Sequence, residues 1–86
     1  MMMNKIVSLI EEIIEAVKDD LPADNIMDAR ELLSHDEWGE SLSLIYTQLY
    51  EYDIPVSKDV FKMIESAGNQ MNMDNQGWKD LTIVRL

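Results

Sequence analysis

Six carboxylates lie between Glu31 and Ser57, at Glu31, Asp36, Glu37, Glu40, Glu51 and Asp53, in a stretch that also holds Trp38, Tyr46, Tyr50 and Tyr52 but no lysine or arginine. Carboxylates spaced as Glu37 and Glu40 are suit paired acid–base work only where a buried pocket drives their pKa values apart. Nothing in the surrounding sequence suggests such a pocket, and solvated charge is the expectation. The lone His35 has no cysteine and no second histidine with which to share a metal ion. Asp74-Asn75-Gln76-Gly77 has the look of a calcium loop but lacks the alternating ligands and the closing bidentate glutamate, and helix capping by Asp74 explains it better. What remains is the chemistry of binding. Aromatic rings with a polar tip bury much area at low entropic cost, and uncompensated carboxylates project a field that steers a cationic partner. The residues singled out for contact are Asp36, Glu37, Glu40, Leu44, Tyr50, Glu51 and Asp53. Leu44 is included because it falls among the acids on the polar side of its segment.

The bulk properties point the same way. The formal charge is -10, from 17 acidic and 7 basic side chains, and residues 1–43 carry eleven of the acids against three bases. Such a chain repels nucleic acid and anionic membranes, so a basic macromolecule is the expected partner. With no cysteine there is no disulfide framework or thiolate site, and the cytoplasm is the default compartment. Glu11 and Glu12 interrupt the apolar run after Met1-Met2-Met3, which argues against a signal peptide. The three initial methionines read as alternative starts. Eighty-six residues support one domain with one core.

The elements that must position these groups read as helices throughout. Ile6, Leu9, Ile10, Ile13, Ile14 and Val17 recur at three- and four-residue intervals, placing a first amphipathic helix before Asp20-Leu21-Pro22. A second runs from about Ala23 to Leu33 and buries Ile26, Ala29 and Leu33. Ser34-His35-Asp36-Glu37 matches a capping box and starts a third, whose apolar stripe is Trp38, Leu42, Ile45 and Leu49, flanked by Tyr46 and Tyr52. Glu37, Glu40, Thr47, Gln48 and Glu51 form its polar face. Asp53-Ile54-Pro55-Val56 is an extended connector, Ser57 caps a fourth helix that buries Val60, Phe61, Ile64 and Ala67, and Gly68-Asn69 is its left-handed end. Asp74 caps a short last helix that buries Trp78 and Leu81. Thr82-Ile83-Val84 has strand composition but no strand to pair with. The expected fold is all-α: a small bundle of four amphipathic helices plus a short C-terminal helix.

Leu32-Leu33-Ser34-His35, Glu37-Trp38-Gly39-Glu40, Leu49-Tyr50-Glu51-Tyr52-Asp53-Ile54 and a trailing Trp78, taken in order and spacing, resemble the MafI family of bacterial immunity proteins. The resemblance covers roughly residues 26 to 81. It implies a cytoplasmic, non-catalytic antitoxin that needs no cofactor or metal and neutralises the C-terminal domain of a secreted polymorphic toxin, often a nuclease such as an EndoU-like ribonuclease. It leaves open whether the chain also associates with itself. A rival resemblance rests on Glu40-Ser41-Leu42 followed by an acidic helix and Ile54-Pro55, which looks like an acyl carrier protein with phosphopantetheine on Ser41. That family has aspartate before the serine, a longer gap to the equivalent of Ile54, and its serine at a helix start. The immunity reading is therefore the leading expectation, with a generic acidic adaptor as a further alternative.

Overall fold

A computed structural model describes residues 4–84, so Met1, Met2 and Met3 lie outside the described residues. Among the described residues four helices form: α1 (Lys5–Val17), α2 (Ala23–Ser34), α3 (Trp38–Glu51) and α4 (Lys58–Gln70). A single 3-10 turn follows at Asn75–Gly77. The all-α expectation holds, and so do the caps expected at Ser57 and Asp74. The Asn4 side chain accepts from the Ile6 amide, Ser57 from the Val60 amide and Asp74 from the Gln76 amide. Each satisfies an amide that the first turn leaves without an intrahelical partner.

The helices α1 and α3 touch each other and both remaining helices, whereas α2 and α4 sit on opposite sides of that pair. The core follows the periodicity: Ile10, Ile13, Ile14 and Val17 from α1, Ile26, Ala29 and Leu33 from α2, Leu42, Ile45 and Leu49 from α3, and Val60, Ile64 and Ala67 from α4. Leu21, Val56, Trp78 and Leu81 close it from the connecting segments. No helix among the described residues is long and apolar enough to cross a membrane.

Six sequence expectations need correction. The Ser34 capping box does not form; Ser34 is the last residue of α2, and its hydroxyl donates to the Glu31 carbonyl at 2.7 Å. The helix α3 begins at Trp38, with Glu37 as an N-cap that makes no side-chain bond. Trp38 is only half-buried where it packs against the core, and its buried Nε1 has no hydrogen-bond partner among the described residues, whereas Trp78 is buried as expected. Phe61 is likewise half-buried, while Tyr52 is 54% exposed and does not flank the core. Gly68 is not a left-handed end: α4 runs on to Gln70, and no glycine has positive φ. The C-terminal tail does find a partner. Val56 donates its amide to the Thr82 carbonyl, Val84 donates to the Val56 carbonyl, both at 2.8 Å, and a parallel bridge joins Val56 to Ile83. The connector between α3 and α4 is thereby tied to the end of the chain.

Three helices end in the same way. After α2, Glu37 donates to the Leu32 carbonyl and Asp36 to Leu33; after α3, Ile54 donates to Leu49 and Asp53 to Tyr50; after α4, Met73 donates to Gly68 and Asn72 to Asn69. This paired pattern is the Schellman motif, which needs one residue in the left-handed region. Asp36, Asp53 and Asn72 occupy it, with φ of 62°, 53° and 56°. Two of the predicted contact residues therefore have a backbone duty, in a place where glycine is the usual choice.

A first expected outcome concerns those positions. Replacing Asp36 or Asp53 with glycine removes about 1–2 kcal/mol of left-handed strain and about 0.3–1 kcal/mol of repulsion from the negative helix end, against about 0.4–1 kcal/mol of added unfolded-chain entropy. Asp36→Gly and Asp53→Gly should each stabilise the chain by about 1 kcal/mol, read as a higher urea midpoint with unchanged slope. Asn72→Gly, with no charge to remove, should gain less. A lower midpoint for the aspartate variants would mean that their carboxylates contribute to folding.

Candidate binding face on helices α2 and α3

The helix α3 positions the acids because its apolar stripe commits one side to the core and leaves the other to solvent. At about 100° per residue, Glu40, Gln48 and Glu51 lie within about 40° of Leu44 around the helix, so Leu44 stands at the centre of the polar face. Glu40 and Glu51 are exposed and Leu44 is half-buried. Leu44 is half-buried because α2 packs most extensively against α3 and brings its own outward face alongside. The two helices flank an open groove of about 360 Å³ lined by Asp28, Glu31, Leu32, His35 and Leu44.

The structure thus separates the predicted contact residues into groups. Asp36, Glu37 and Glu40 cluster at the start of α3, and Tyr50, Glu51 and Asp53 at its end, with Leu44 between them. Fourteen residues at 1.5 Å rise set the two ends roughly 20 Å apart. Tyr50 is 56% exposed, which leaves its ring available for contact. It does not face the groove: with Asp53, Ile54, Asp80 and Thr82 it lines a shallow cleft beside the tail. Tyr46 is not a surface ring, since it packs against Trp78 with centroids 6.0 Å apart.

Sequence reasoning missed the share of α2. Asp28 and Leu32 belong to the groove, and Met27, one helical turn from Glu31, is 64% exposed beside it. The only available signal was an exposed methionine among acids on a helix with few apolar positions, which does not say which helix it will face.

The charges on this face stay uncompensated. Among the described residues the ion pairs are Lys18 to Glu15 at 3.2 Å and Arg30 to Glu15 at 2.7 Å. Arg30, followed by Lys18, holds the Glu15 carboxyl below its ordinary value. Both cations are therefore engaged at the α1–α2 junction, and Asp28, Glu31, Glu37, Glu40 and Glu51 have no ion-pair partner among the described residues. No group of three or more potential metal-ligating side chains converges among the described residues.

Ser41 lies behind this face. Its side chain is wholly buried, and Oγ donates to the Ala29 carbonyl at 2.8 Å, where two small residues let α3 approach α2. A hydroxyl placed there does not present itself to a modifying enzyme. Searches of family models, curated proteins and solved structures found no match to this chain.

Proposed function

We propose that this chain is an immunity protein that binds and neutralises a basic toxin domain, as its resemblance to the MafI family implies. The observation that carries the reading is the acidic face of α2 and α3, exposed and without ion-pair partners among the described residues. A domain that forgoes the ordinary Glu-to-Lys helix pairs, worth about 0.2–0.5 kcal/mol each, accepts self-repulsion that a cationic partner would relieve. Nuclease domains bind polyanions, and an acidic protein opposite such a surface gains in association rate. A nuclease, including an EndoU-like ribonuclease, is the toxin class that fits. The carrier alternative is disfavoured by the burial of Ser41.

The test measures association of this chain with the toxin domain encoded by the neighbouring reading frame, at low and moderate salt. The wild type should bind and protect cells that express the toxin. The triple variant Glu37→Gln, Glu40→Gln, Glu51→Gln should associate at least about tenfold more slowly at low salt, with a flatter salt dependence. Tight binding by the variant with unchanged rates would move the interface off this face. No binding by the wild type would overturn the immunity reading.

A further inference from the structure

We infer that the groove between α2 and α3 is the seat for an arginine side chain presented by the basic protein partner, a proposal that rests on the reading above. The groove is lined by half-buried Leu32 and Leu44 and by exposed Asp28, Glu31 and His35, so its apolar ground lies beside two carboxylates. Asp28 and Glu31 are three residues apart on one helix, which sets their Cβ atoms about 5–6 Å apart on a common face. An arginine suits this combination of surfaces. Its aliphatic stem covers apolar ground while its guanidinium stays at the rim, where the planar fork donates to both carboxylates. Lysine offers one compact charge and fits the pair less well.

The neighbouring groove between α1 and α2 provides an internal comparison. It is lined by Val7, Ile14 and Leu33 with Glu11 and Glu15, and there the chain supplies its own arginine: Arg30 reaches Glu15 at 2.7 Å. The α2–α3 groove has the same ingredients, apolar and acidic side chains, with His35 on its lining but no lysine or arginine of the described chain. A second copy is a poor occupant, because two chains of formal charge -10 would meet through their acids. Exposed Met27 beside Glu31 adds an apolar margin for the segment that bears the arginine.

The experiment titrates the ¹⁵N-labelled full chain with a blocked tetra-arginine peptide, and in parallel with tetra-lysine, at moderate salt. The largest amide shifts should fall on residues 28–35 and around Leu44, with severalfold preference for arginine. Asp28→Asn with Glu31→Gln should weaken the peptide at least about tenfold, while Glu11→Gln with Glu12→Gln should change it less than about twofold. Leu44→Ser, checked for an unchanged fold, should weaken arginine severalfold without altering the charge. Shifts spread evenly over Glu11, Glu12, Asp19 and Asp20, or indifference to Asp28→Asn with Glu31→Gln, would overturn the groove. A peptide that seats here while the toxin domain fails to bind would overturn the immunity reading and leave the groove standing. Toxin binding that survives Asp28→Asn with Glu31→Gln would do the reverse.

Discussion

Gly68→Ala is expected to destabilise this chain, although the same substitution in an ordinary helix interior gains roughly 0.5–1 kcal/mol. Gly68 is buried inside α4, and a Cβ built on it would lie 2.3 Å from Trp78 Cη2 and 2.4 Å from Cζ3. The indole has little freedom to retreat. It is 1% exposed, and Tyr46 packs against it, while Gly77 lets the preceding turn lie directly on the Tyr46 ring. Overpacking of this kind costs about 1–3 kcal/mol and at times more, which exceeds the helix-propensity gain. Trp78→Ala removes the same contact from the other side and should cost about 3–5 kcal/mol, a large part of the roughly 5–10 kcal/mol that a small domain holds. The two effects are coupled. In a Trp78→Leu background the clash disappears and Gly68→Ala should become neutral or stabilising, a non-additivity of about 1–3 kcal/mol by urea denaturation. An equal cost in both backgrounds would assign the glycine a backbone role and detach it from the indole.

That lock also shows what the sequence could and could not reveal. The helices α1 and α4 were legible because Ile10, Ile13, Ile14, Val60 and Ile64 repeat at helical spacing and Ser57 stands where a cap is needed, all of it local information. Ser34 was misread because the capping-box pattern does not distinguish the end of one helix from the start of the next. The Schellman turn through Asp36 competed for the same residues, and its Glu37-to-Leu32 bond took the place of the expected cap. Aspartate at a left-handed position gives no sign comparable to glycine. The bridge between Val56 and Ile83 and the packing of Trp78 on Tyr46 join residues distant in sequence, so no local window contains them.

The candidate face divides along the same line. The polar side of α3 was readable from Glu40, Leu44 and Glu51, since one helix fixes their mutual directions. Its convergence with Asp28 and Leu32 depends on how α2 docks, and that docking turns on Ala29, which the hydrophobic pattern does place inside, and on Ser41, a polar residue that it does not. The structure therefore turns an acidic run into a groove with apolar ground, and makes the serine of the rival carrier reading part of the packing beneath it.

Ser41→Asp should accordingly be among the most damaging single substitutions in the chain. The position is 0% exposed, and its hydroxyl is already committed to the Ala29 carbonyl. An aspartate there brings extra volume and a carboxylate with no cation beside it, a burial that costs about 3–5 kcal/mol when the group stays ionised. Ser41→Ala, which loses one hydrogen bond, should cost about 1 kcal/mol. The pH dependence gives the cause its signature. Burial raises the pKa of the introduced carboxyl in the folded state above its unfolded value, so folding takes up a proton. The variant should then be least handicapped relative to wild type in mild acid, and its deficit should grow as pH rises toward neutrality. A serine that carries a prosthetic group must instead stand where a transferase reaches it, and aspartate at such a site would cost almost nothing at any pH. Incubation of the wild type with a phosphopantetheinyl transferase should likewise leave its mass unchanged. A stable Ser41→Asp variant together with stoichiometric modification of Ser41 would return the chain to the carrier reading, because both results require the α2–α3 contact to open at the residue that now closes it.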